Sequence, residues 1–210
     1  MLREKSELKE IYIVRYADDF KIFCRDYHTA KKTYTAVVKW LKERLSLDIS
    51  EEKSGITNLK KIYMEFLGLK IRAVPKGKKF AVKSHMTNKA KNRAKKKVAE
   101  STKRILNHND QKSLDKNISL HNSLICGLHN YYKMATRVSA DFAKIGYPIQ
   151  KMLSGANHNS RQCSVEKSGE IRSRFIADNY GKSKQMRWIH DRPIIPVAYG
   201  RNLSYKIKLQ

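Results

Sequence analysis

The segment "VRYADDFKIF", residues 14–23, places two adjacent carboxylates, Asp18 and Asp19, between two runs of β-forming residues. The apolar side chains on both sides and the turn-forming character of Asp predict a β-hairpin with the acids at its tip. Neighbouring carboxylates repel each other, and a divalent cation or the lysines of a partner relieve that repulsion. This hairpin is therefore the first candidate for a functional site.

The charge balance of the chain indicates a polyanionic partner. Of the 210 residues, 45 are Lys or Arg and 19 are Asp or Glu, so that the formal net charge at pH 7 is +26. Such an imbalance costs free energy through self-repulsion, which a polyanion relieves. Nucleic acid and an anionic membrane surface both meet this requirement. Because we find neither an apolar run long enough to span a bilayer nor a signal peptide, we expect nucleic acid and no membrane.

The cysteines argue against disulfide and zinc chemistry. Cys24, Cys126 and Cys163 are widely separated and form no CxxC pair. This pattern fits a reducing cytoplasm rather than a disulfide framework or a zinc finger. Cys126 and His129 are a lone pair of possible metal ligands, and their spacing is more typical of ordinary helix surface and core.

The apolar periodicity predicts the α+β fold class, with a strand-rich part followed by helices. Residues 10–83 are predicted to form two strands, a helix within 28–47, a further strand and a hairpin. The extended runs are 66–74 and 79–83, and a turn signal at residues 75–77 joins them.

From residue 87 onward a helical period predicts a small bundle of three helices, at 87–105, at about 114–135 and at 140–153. The first of these helices has one apolar face, whereas its other positions are crowded with cations. We expect one side of it to pack and the other to stay cationic. Beyond residue 155 the sequence is polar, basic and turn-rich, which predicts a loosely ordered connection and then a short basic module.

Chemistry alone leaves two interpretations of Asp18 and Asp19 open. Paired acids on a hairpin in a basic chain suit Mg²⁺ held against a phosphate-bearing substrate, as in two-metal phosphoryl transfer. The alternative is a turn in which the Asp side chains cap backbone amides.

Several segments resemble the group II intron-encoded reverse transcriptase/maturase family. The late palm blocks of reverse transcriptases are matched, in order and at the same distances, by "YADDF" at 16–20, "LDISEEKSGIT" at 47–57 and "EFLGLKI" at 65–71. "ICGLHNYYKMAT" at 125–136 resembles the maturase thumb, or X domain. "PVAYGRNLSYKIK" at 196–208 resembles the end of the basic DNA-binding region.

The resemblance implies a partial reverse-transcriptase palm of antiparallel strands plus a helix, then a helical thumb bundle and a basic, partly irregular tail. The corresponding segments are 1–84, 85–155 and 156–210. The implied function is that of an RNA-directed DNA polymerase and intron maturase, acting in the splicing and mobility of a group II intron. The implied location is the bacterial cytoplasm.

By position, the resemblance makes Asp18 a ligand of both of two Mg²⁺ ions and Asp19 a nearby supporting carboxylate. Tyr16 and Ala17 would lie beneath the primer end. Lys53 would lie near the phosphates of the incoming nucleotide, where a lysine neutralises charge or protonates the leaving pyrophosphate. The alternative for Lys53 is a solvated loop lysine.

The "FLG" motif at 66–68 would form the primer-grip hairpin, in which Gly68 allows a close backbone approach; the alternative is a bulge in a core strand. Charge and resemblance together point to the lysine-rich helix and one tyrosine as the RNA-binding surface. These candidates are Lys91, Arg93, Lys95, Lys96, Lys97, Arg104 and Tyr131. Tyr132 falls on the apolar stripe and is expected in the core.

A basic aromatic cluster lies near the end of the chain. It could either contact nucleic acid or pack the tail, and the sequence does not decide between these two roles. Its members are Arg187, Trp188, His190 and Arg192.

The partners that the resemblance implies are a group II intron RNA and an RNA template with a DNA primer, with target DNA as a further partner. In the family, fingers and a further metal-binding Asp precede the YADD block, and residues 1–15 contain no counterpart. Because such a site works mainly by positioning, we expect an N-terminally truncated relative with little or no polymerase activity unless a separate chain supplies the fingers and upstream palm. The alternatives are a catalytically inactive remnant that binds intron RNA through its basic thumb, and a general basic RNA-binding or ribosome-associated protein.

Overall fold

The computed structural model describes residues 11–155, 163–164 and 169–198. The chain divides into two compact units, Met1–Ile62 and Tyr63–Gln210. This division differs from the three predicted segments, because the predicted palm segment is shared between the two units, whereas the predicted thumb and tail lie in one. The mixture of helices and antiparallel strands agrees with the predicted α+β class.

The described part of the first unit begins with the predicted hairpin. Strands β1 (Tyr12–Tyr16) and β2 (Asp19–Phe23) pair antiparallel. Because Tyr16 lies opposite Asp19, the connecting turn consists of Ala17 and Asp18 alone. The chain therefore reverses at the two residues between Tyr16 and Asp19, and Asp18 occupies the tip.

Helix α1 (Tyr27–Leu45) follows, and its first turn is fixed by Asp26, whose carboxylate accepts a hydrogen bond from the Thr29 N–H at 2.8 Å. The predicted apolar stripe of α1 is at most half-buried. Its members are Ala30, Tyr34, Val37, Leu41 and Leu45. Within residues 11–62 the buried residue is Thr29, and every apolar side chain is at least partly exposed. The described part of this unit therefore has no apolar core of its own.

The second unit begins with an antiparallel sheet of strands β3 (Met64–Phe66), β4 (Leu69–Lys76) and β5 (Lys79–Met86), in that order. The prediction of one extended run over 66–74 is wrong, because a turn at residues 67–68 divides it into β3 and β4.

The predicted turn at 75–77 also lies too early in the chain. Lys76 pairs with Lys79, so the turn residues are Gly77 and Lys78. Pro75 lies within β4, opposite a residue of β5. The hairpin is thus confirmed, but its turn lies nearer the C-terminus than predicted.

Helices α2 (Asn88–Leu106), α3 (Gln111–Tyr132) and α4 (Val138–Gly155) follow close to their predicted bounds. The Thr87 side chain caps α2, and Asp110 forms a capping box with Ser113 at the start of α3. Helix α2 packs against both α3 and α4, so the predicted bundle is present. None of the helices in the described ranges is both long enough and apolar enough to cross a membrane.

Residues 169–198 pack on the bundle, although a loosely ordered connection and then a short basic module are predicted beyond residue 155. They contain α5 (Arg174–Tyr180), β7 (Arg187–Ile189) and β8 (Arg192–Ile194), and β7 also pairs with β6 (Cys163–Ser164). Their buried side chains belong to the same hydrophobic core as those of the helices. These are Tyr180, Met186, Trp188, Ile189, Ile194, Ile195 and Val197.

Two polar side chains of α3 fasten this segment to the bundle. Asp115 accepts two hydrogen bonds from the Arg192 guanidinium, at 2.9 and 3.0 Å. Asn122 donates to the Pro193 carbonyl and accepts from the Ile195 N–H, both at 2.9 Å. The Asn122 amide therefore makes the same two backbone hydrogen bonds to residues 193 and 195 that a neighbouring strand would make.

His129 is a third anchor on α3. Its Nε2 lies 3.0 Å from the Val197 carbonyl oxygen, and its Nδ1 lies 2.9 Å from the Tyr180 hydroxyl. A carbonyl only accepts, so Nε2 carries the proton and Nδ1 accepts from the hydroxyl. Asp115, Asn122 and His129 recur every seven residues, a spacing that keeps them on nearly the same face of the helix.

Candidate polymerase hairpin and nucleic-acid surface

The hairpin tip exposes the two candidate acids. Asp18 lies in the turn, Asp19 begins β2, and Tyr16 and Ala17 beside them are exposed as well. Neither carboxylate makes a hydrogen bond or ion pair with another residue of the described ranges. The alternative in which the Asp side chains cap their own turn is therefore not what the structure contains.

The turn carries backbone strain beside these acids. Ala17 has a φ of 52°, in the left-handed region that costs a residue with a Cβ about 1–2 kcal/mol. The Arg15 Nε donates a hydrogen bond of 2.8 Å to the Ala17 carbonyl, which helps to hold the turn in this conformation. The strained residue thus lies directly before Asp18.

The donor chemistry of Asp18 and Asp19 suits Mg²⁺, which prefers hard oxygen ligands and is commonly held by one or two carboxylates plus substrate phosphates. Within the ranges that the structure describes, no group of three or more His, Cys, Asp or Glu side chains could hold a metal ion. The two acids fit part of a magnesium site that substrate and a further ligand would complete.

Lys53 lies in a short turn after α1, where its backbone N–H donates to the Ser50 carbonyl at 3.1 Å. Its side chain is exposed. No hydrogen bond or ion pair among the described residues joins it to Asp18 or Asp19, so the structure does not bring these three predicted residues into contact.

The "FLG" motif forms a tight turn. Leu67 and Gly68 connect β3 to β4 with φ values of 50° and 75°, as in the type I′ turns of two-residue hairpins. The Thr87 N–H donates to the Gly68 carbonyl at 2.8 Å. A Cβ at Gly68 would lie 3.2 Å from the Tyr132 hydroxyl oxygen. The motif is therefore a hairpin turn and not a bulge in a core strand.

Replacing Gly68 with Ala should lower the free energy of unfolding of the second unit by about 1–2 kcal/mol, because the new Cβ meets both the positive φ and the Tyr132 hydroxyl. Gly77→Ala is the matched control, since Gly77 has a φ of 60° but open space around it. Urea denaturation of both variants separates backbone strain from the contact. Equal losses in the two variants would show that the Tyr132 contact has no effect.

Helix α2 separates its cations from its packed face. The buried positions are Ala94, Val98, Ser101, Thr102 and Ile105. The exposed cations are Lys89, Arg93, Lys95, Lys96, Lys97, Lys103 and Arg104. Five of the predicted RNA-binding residues, Arg93, Lys95, Lys96, Lys97 and Arg104, are thus exposed. At 3.6 residues per turn, Arg93, Lys96, Lys97 and Arg104 share one side of the helix and form its cationic surface, whereas Lys95 projects from the other side.

Lys91 differs from these residues, because it is less exposed and pairs with an acid of α4. Its Nζ lies 3.5 Å from Asp141 Oδ1, and its side chain is only 18% exposed. Asp141 is 2% exposed; it also accepts from the Met86 N–H at 2.8 Å, and its Oδ2 lies 3.3 Å from His85 Nδ1. A buried carboxylate needs a compensating charge, and Lys91 provides it for Asp141. Lys91 therefore contributes to the stability of the fold.

Tyr131 touches the "FLG" turn while it stays exposed. Its hydroxyl donates to the Leu67 carbonyl at 3.1 Å, and the residue is 57% exposed. Its ring packs edge-on against Tyr132, which is half-buried against the hydrophobic core as predicted. Tyr131 therefore keeps the exposed aromatic ring that stacking on a base requires.

The pair Cys126 and His129 does not offer a metal site. Both ring nitrogens of His129 are engaged by Val197 and Tyr180. Burial also raises the pKa of the Cys126 thiol, which disfavours the thiolate that metals bind. Both side chains instead take part in the packing of residues 169–198 against α3.

The basic aromatic cluster near the chain end is largely taken up by packing. Trp188 is 3% exposed, and Arg192 is bound to Asp115. Of the two predicted roles, packing within the protein is therefore the one that applies to Trp188 and Arg192. The resembling segment 196–208 lies mostly outside the described residues.

The sequence did not predict that Asp141 and Asn122 bind distant segments of the chain. Both occur in helices that the periodicity does predict, but an acid or an amide on a helix gives no signal of a partner far along the chain. Asp141 falls one position before Phe142 on the predicted apolar stripe, and this proximity is the available hint of its burial.

A protein-family model matches the part of the chain that contains the first hairpin. Residues 1–71 of the 210 match the family model described as reverse transcriptase (RNA-dependent DNA polymerase). The matched region includes Asp18, Asp19, Lys53 and Gly68. The predicted resemblance to reverse transcriptases is thus confirmed for this segment, at the level of the family. No curated protein matches the chain.

Proposed function

We propose that this chain is part of a group II intron-encoded reverse transcriptase/maturase and binds RNA through its second unit. The observation that carries the proposal is the exposed Asp18–Asp19 turn inside the segment that matches reverse transcriptases. The net charge of +26 and the cationic surface of α2 support a nucleic-acid partner.

In this proposal Asp18 and Asp19 contribute carboxylate oxygens at the 3′ end of a DNA primer. Bound Mg²⁺ would supply the positive charge that a transferring phosphoryl group needs. Tyr16 lies opposite Asp19 in the sheet register, so its exposed ring projects from the same face and supports the primer end beside Ala17. Lys53 neutralises phosphate charge once nucleotide is bound.

The polymerase site requires further elements beyond those described. Both faces of the first hairpin carry exposed apolar residues, among them Ile13, Val14 and Phe20. Exposed apolar surface of this kind supports the proposal that additional palm elements cover the hairpin and contribute another carboxylate. A separate chain that supplies fingers and upstream palm meets this requirement.

A second candidate function is RNA binding without polymerisation. It is favoured by the self-sufficient core of the second unit, which packs α2 and leaves its cationic surface exposed. Such a remnant would bind intron RNA and leave the acids of the first hairpin unused.

Primer extension on an RNA template with Mg²⁺ separates the two functions. We expect extension to be weak for the chain alone and to fall to background in Asp18→Ala. Glu43→Ala is the matched control, since Glu43 is an exposed acid of the same unit and lies outside the segments that resemble the palm blocks. Extension that survives Asp18→Ala would contradict the role of Asp18, and absence of extension together with tight RNA binding would favour the second function.

Replacing Arg93, Lys96 and Lys97 together with Gln should weaken RNA binding about tenfold or more and lower the slope of log K against log salt concentration by about 2. The reason is that these side chains share the exposed surface of α2 and would each neutralise a phosphate. The control removes the same charge from exposed positions elsewhere in the second unit, Lys144, Lys182 and Lys184. Fluorescence anisotropy of a labelled RNA measures both quantities, and equal behaviour of the two triple variants would contradict the assignment.

A further inference from the structure

The corner between α2 and α3 contains an open cleft of about 280 Å³. Lys103 and Arg104 of the last turn of α2 line one side, Ser113 and Asn117 of α3 line the other, and residues 107–109 of the connection form the rest of the wall. All of these side chains are polar. Small-ligand sites measure about 300–1,000 Å³, so this volume suits one small group. We call this site the corner cleft.

The corner cleft offers positive charge without a competing acid. Lys103 and Arg104 are exposed, and neither makes an ion pair with another residue of the described ranges. No acid is among the described residues that line the cleft. Asp110, close by in the sequence, uses its carboxylate to accept from the Ser113 N–H at 2.6 Å. The cleft therefore attracts an anionic group.

Two of its side chains are already fixed by hydrogen bonds within the protein. Asn117 Nδ2 donates to the Arg104 carbonyl at 3.0 Å, which ties α3 to the end of α2. His108 Nδ1 lies 2.8 Å from the Ile105 carbonyl oxygen. Because a carbonyl only accepts, Nδ1 carries a proton, and Asn117 Oδ1 and Nε2 of the neutral His108 ring remain as acceptors. Both side chains are half-buried, so little conformational entropy is lost when they bind a ligand.

Asn107 and Asn109 add two further amides to the cleft. Both residues are exposed, and neither side chain makes a hydrogen bond to another residue in the described part of the chain. Each amide presents a donor and an acceptor side by side, as the edge of a nucleobase does. A carboxylate or an isolated phosphate would need donors only. The combination of two cations with these amides therefore suits a ligand that carries both a phosphate and a base.

The cationic surface of α2 leads into the corner cleft. Arg104 belongs to both, and Arg93 and Lys97 precede it on the same side of the helix. Arg93 and Arg104 are roughly 16 Å apart along the helix axis, given a rise of about 1.5 Å per residue. Glu100 is an acid on this side and lies about one turn before Arg104. An RNA strand that follows this surface towards the end of α2 therefore arrives at the cleft.

We propose that the corner cleft binds one unpaired nucleotide of the RNA strand that runs along α2. Lys103 and Arg104 hold its phosphate, and Asn107, Asn109 and Asn117 form hydrogen bonds with the edge of its base. Proteins read base edges of RNA mainly in single-stranded segments, where unstacked bases can turn outward. An acidic peptide would supply the charge but not the paired donor and acceptor of a base. The inference rests on the proposed RNA binding of the second unit.

A neutral substitution separates a contact with the base from a contact with the phosphate. The main variant is Asn107→Ala with Asn109→Ala, which removes no charge. Its matched control is Asn92→Ala with Asn130→Ala, at exposed amides of α2 and α3 outside the cleft. Lys103→Gln is a third variant. Fluorescence anisotropy compares them with the wild type on a labelled single-stranded RNA and on an RNA duplex with the same number of phosphates, over a range of salt concentrations.

We expect the variant at Asn107 and Asn109 to bind the single strand about fivefold or more weakly, with an unchanged salt slope. Its affinity for the duplex should stay that of the wild type, because paired bases cannot enter the cleft. Lys103→Gln should lose about 1 unit of salt slope. Unfolding followed by the fluorescence of buried Trp188 checks that each variant is folded.

Three results would overturn the inference. The first is binding of the single strand by the variant at Asn107 and Asn109 that equals binding by the control. The second is an equal loss on the single strand and the duplex, since this would place the contact on the backbone. The third is displacement of the single strand by a mononucleotide at equal phosphate concentration, which would assign the cleft to a free nucleotide.

The same measurements distinguish this inference from the proposed function. If the wild-type chain fails to bind RNA, the proposed function fails and the inference with it. If the wild-type chain binds RNA and the triple variant of α2 loses affinity, but the variant at Asn107 and Asn109 does not, only the inference is wrong.

Discussion

Asp141→Ala is expected to lower the free energy of unfolding of the second unit by about 3–5 kcal/mol. Asp141 is buried at the start of α4 and is engaged by three groups from other elements: the Met86 N–H, His85 and Lys91. Removal of the carboxylate leaves the Met86 N–H without its acceptor and the largely buried Lys91 ammonium without its counter-charge. Both changes incur desolvation costs that the folded state no longer offsets.

The loss can be measured by denaturation, with Trp188 as the reporter of the second unit. Trp40→Phe removes the exposed tryptophan of the first unit, which is 54% exposed, and so isolates the signal of Trp188. Asp178→Ala is the matched control, because the Asp178 ion pair with Arg174 is solvent-exposed and should contribute at most about 1 kcal/mol.

Asp141→Asn separates the contribution of the hydrogen bond from that of the charge. The amide oxygen can still accept from the Met86 N–H, but the charge that balances Lys91 is lost, so we expect a loss smaller than that of Asp141→Ala. If Asp141→Ala were no more destabilising than Asp178→Ala, the assignment of Lys91 to the fold would be wrong, and Lys91 would return to the candidates for RNA contact.

Acidification from pH 6.5 to pH 4 is expected to lower the free energy of unfolding of the second unit by about 3 kcal/mol for each of two buried histidines. Burial lowers the pKa of His121 to about 4 and that of His129 to about 4. Val197 opposes this shift for His129 by accepting its hydrogen bond. Both imidazoles are therefore neutral in the folded chain at neutral pH.

The sign follows from proton binding in the two states. The unfolded chain takes up a proton on each histidine as the pH falls through 6.5, whereas the folded chain does so only near pH 4. The contribution is therefore fully present above pH 6.5 and is lost progressively as the pH falls towards 4. Protonation of His129 would also remove the acceptor for the Tyr180 hydroxyl and loosen residues 169–198 from α3.

Denaturation at a series of pH values measures this effect in the wild type and in His129→Gln. The variant loses buried hydrogen bonds and is less stable throughout, so the informative quantity is the slope of the free energy of unfolding against pH. Between pH 6.5 and 4 this slope should fall by the contribution of one proton, at most about 1.4 kcal/mol per pH unit. An unchanged slope in His129→Gln would contradict the assignment of the acid sensitivity to that residue.

Local patterns predicted the elements of this chain well. The bounds of α2, α3 and α4 follow from apolar residues three and four apart and from capping residues such as Thr87 and Asp110, all of which act within one or two turns. The hairpin with Asp18 at its tip follows equally from neighbouring residues. Interactions over such short separations are present in the sequence itself.

The predicted sites were less complete, because their surroundings come from distant segments. Lys91 and Lys95 are equivalent in the sequence pattern of α2, but only Lys91 turns towards Asp141 of α4. Likewise, polar composition predicts a loosely ordered connection beyond residue 155, whereas Asn122 and His129 of α3 hold Pro193 and Val197 in place.

By itself, the sequence determined the helices, the acid-tipped hairpin and the resemblance of that hairpin to reverse transcriptases. Tertiary structure alone decided which cations are buried and which stay exposed, since burial depends on the element that packs against each residue. It also decided the charge pattern of the sheet. A shift of one residue in a hairpin turn moves every side chain to the other face, and the turn at Gly77 and Lys78 sets the register that brings Arg72 opposite Lys83.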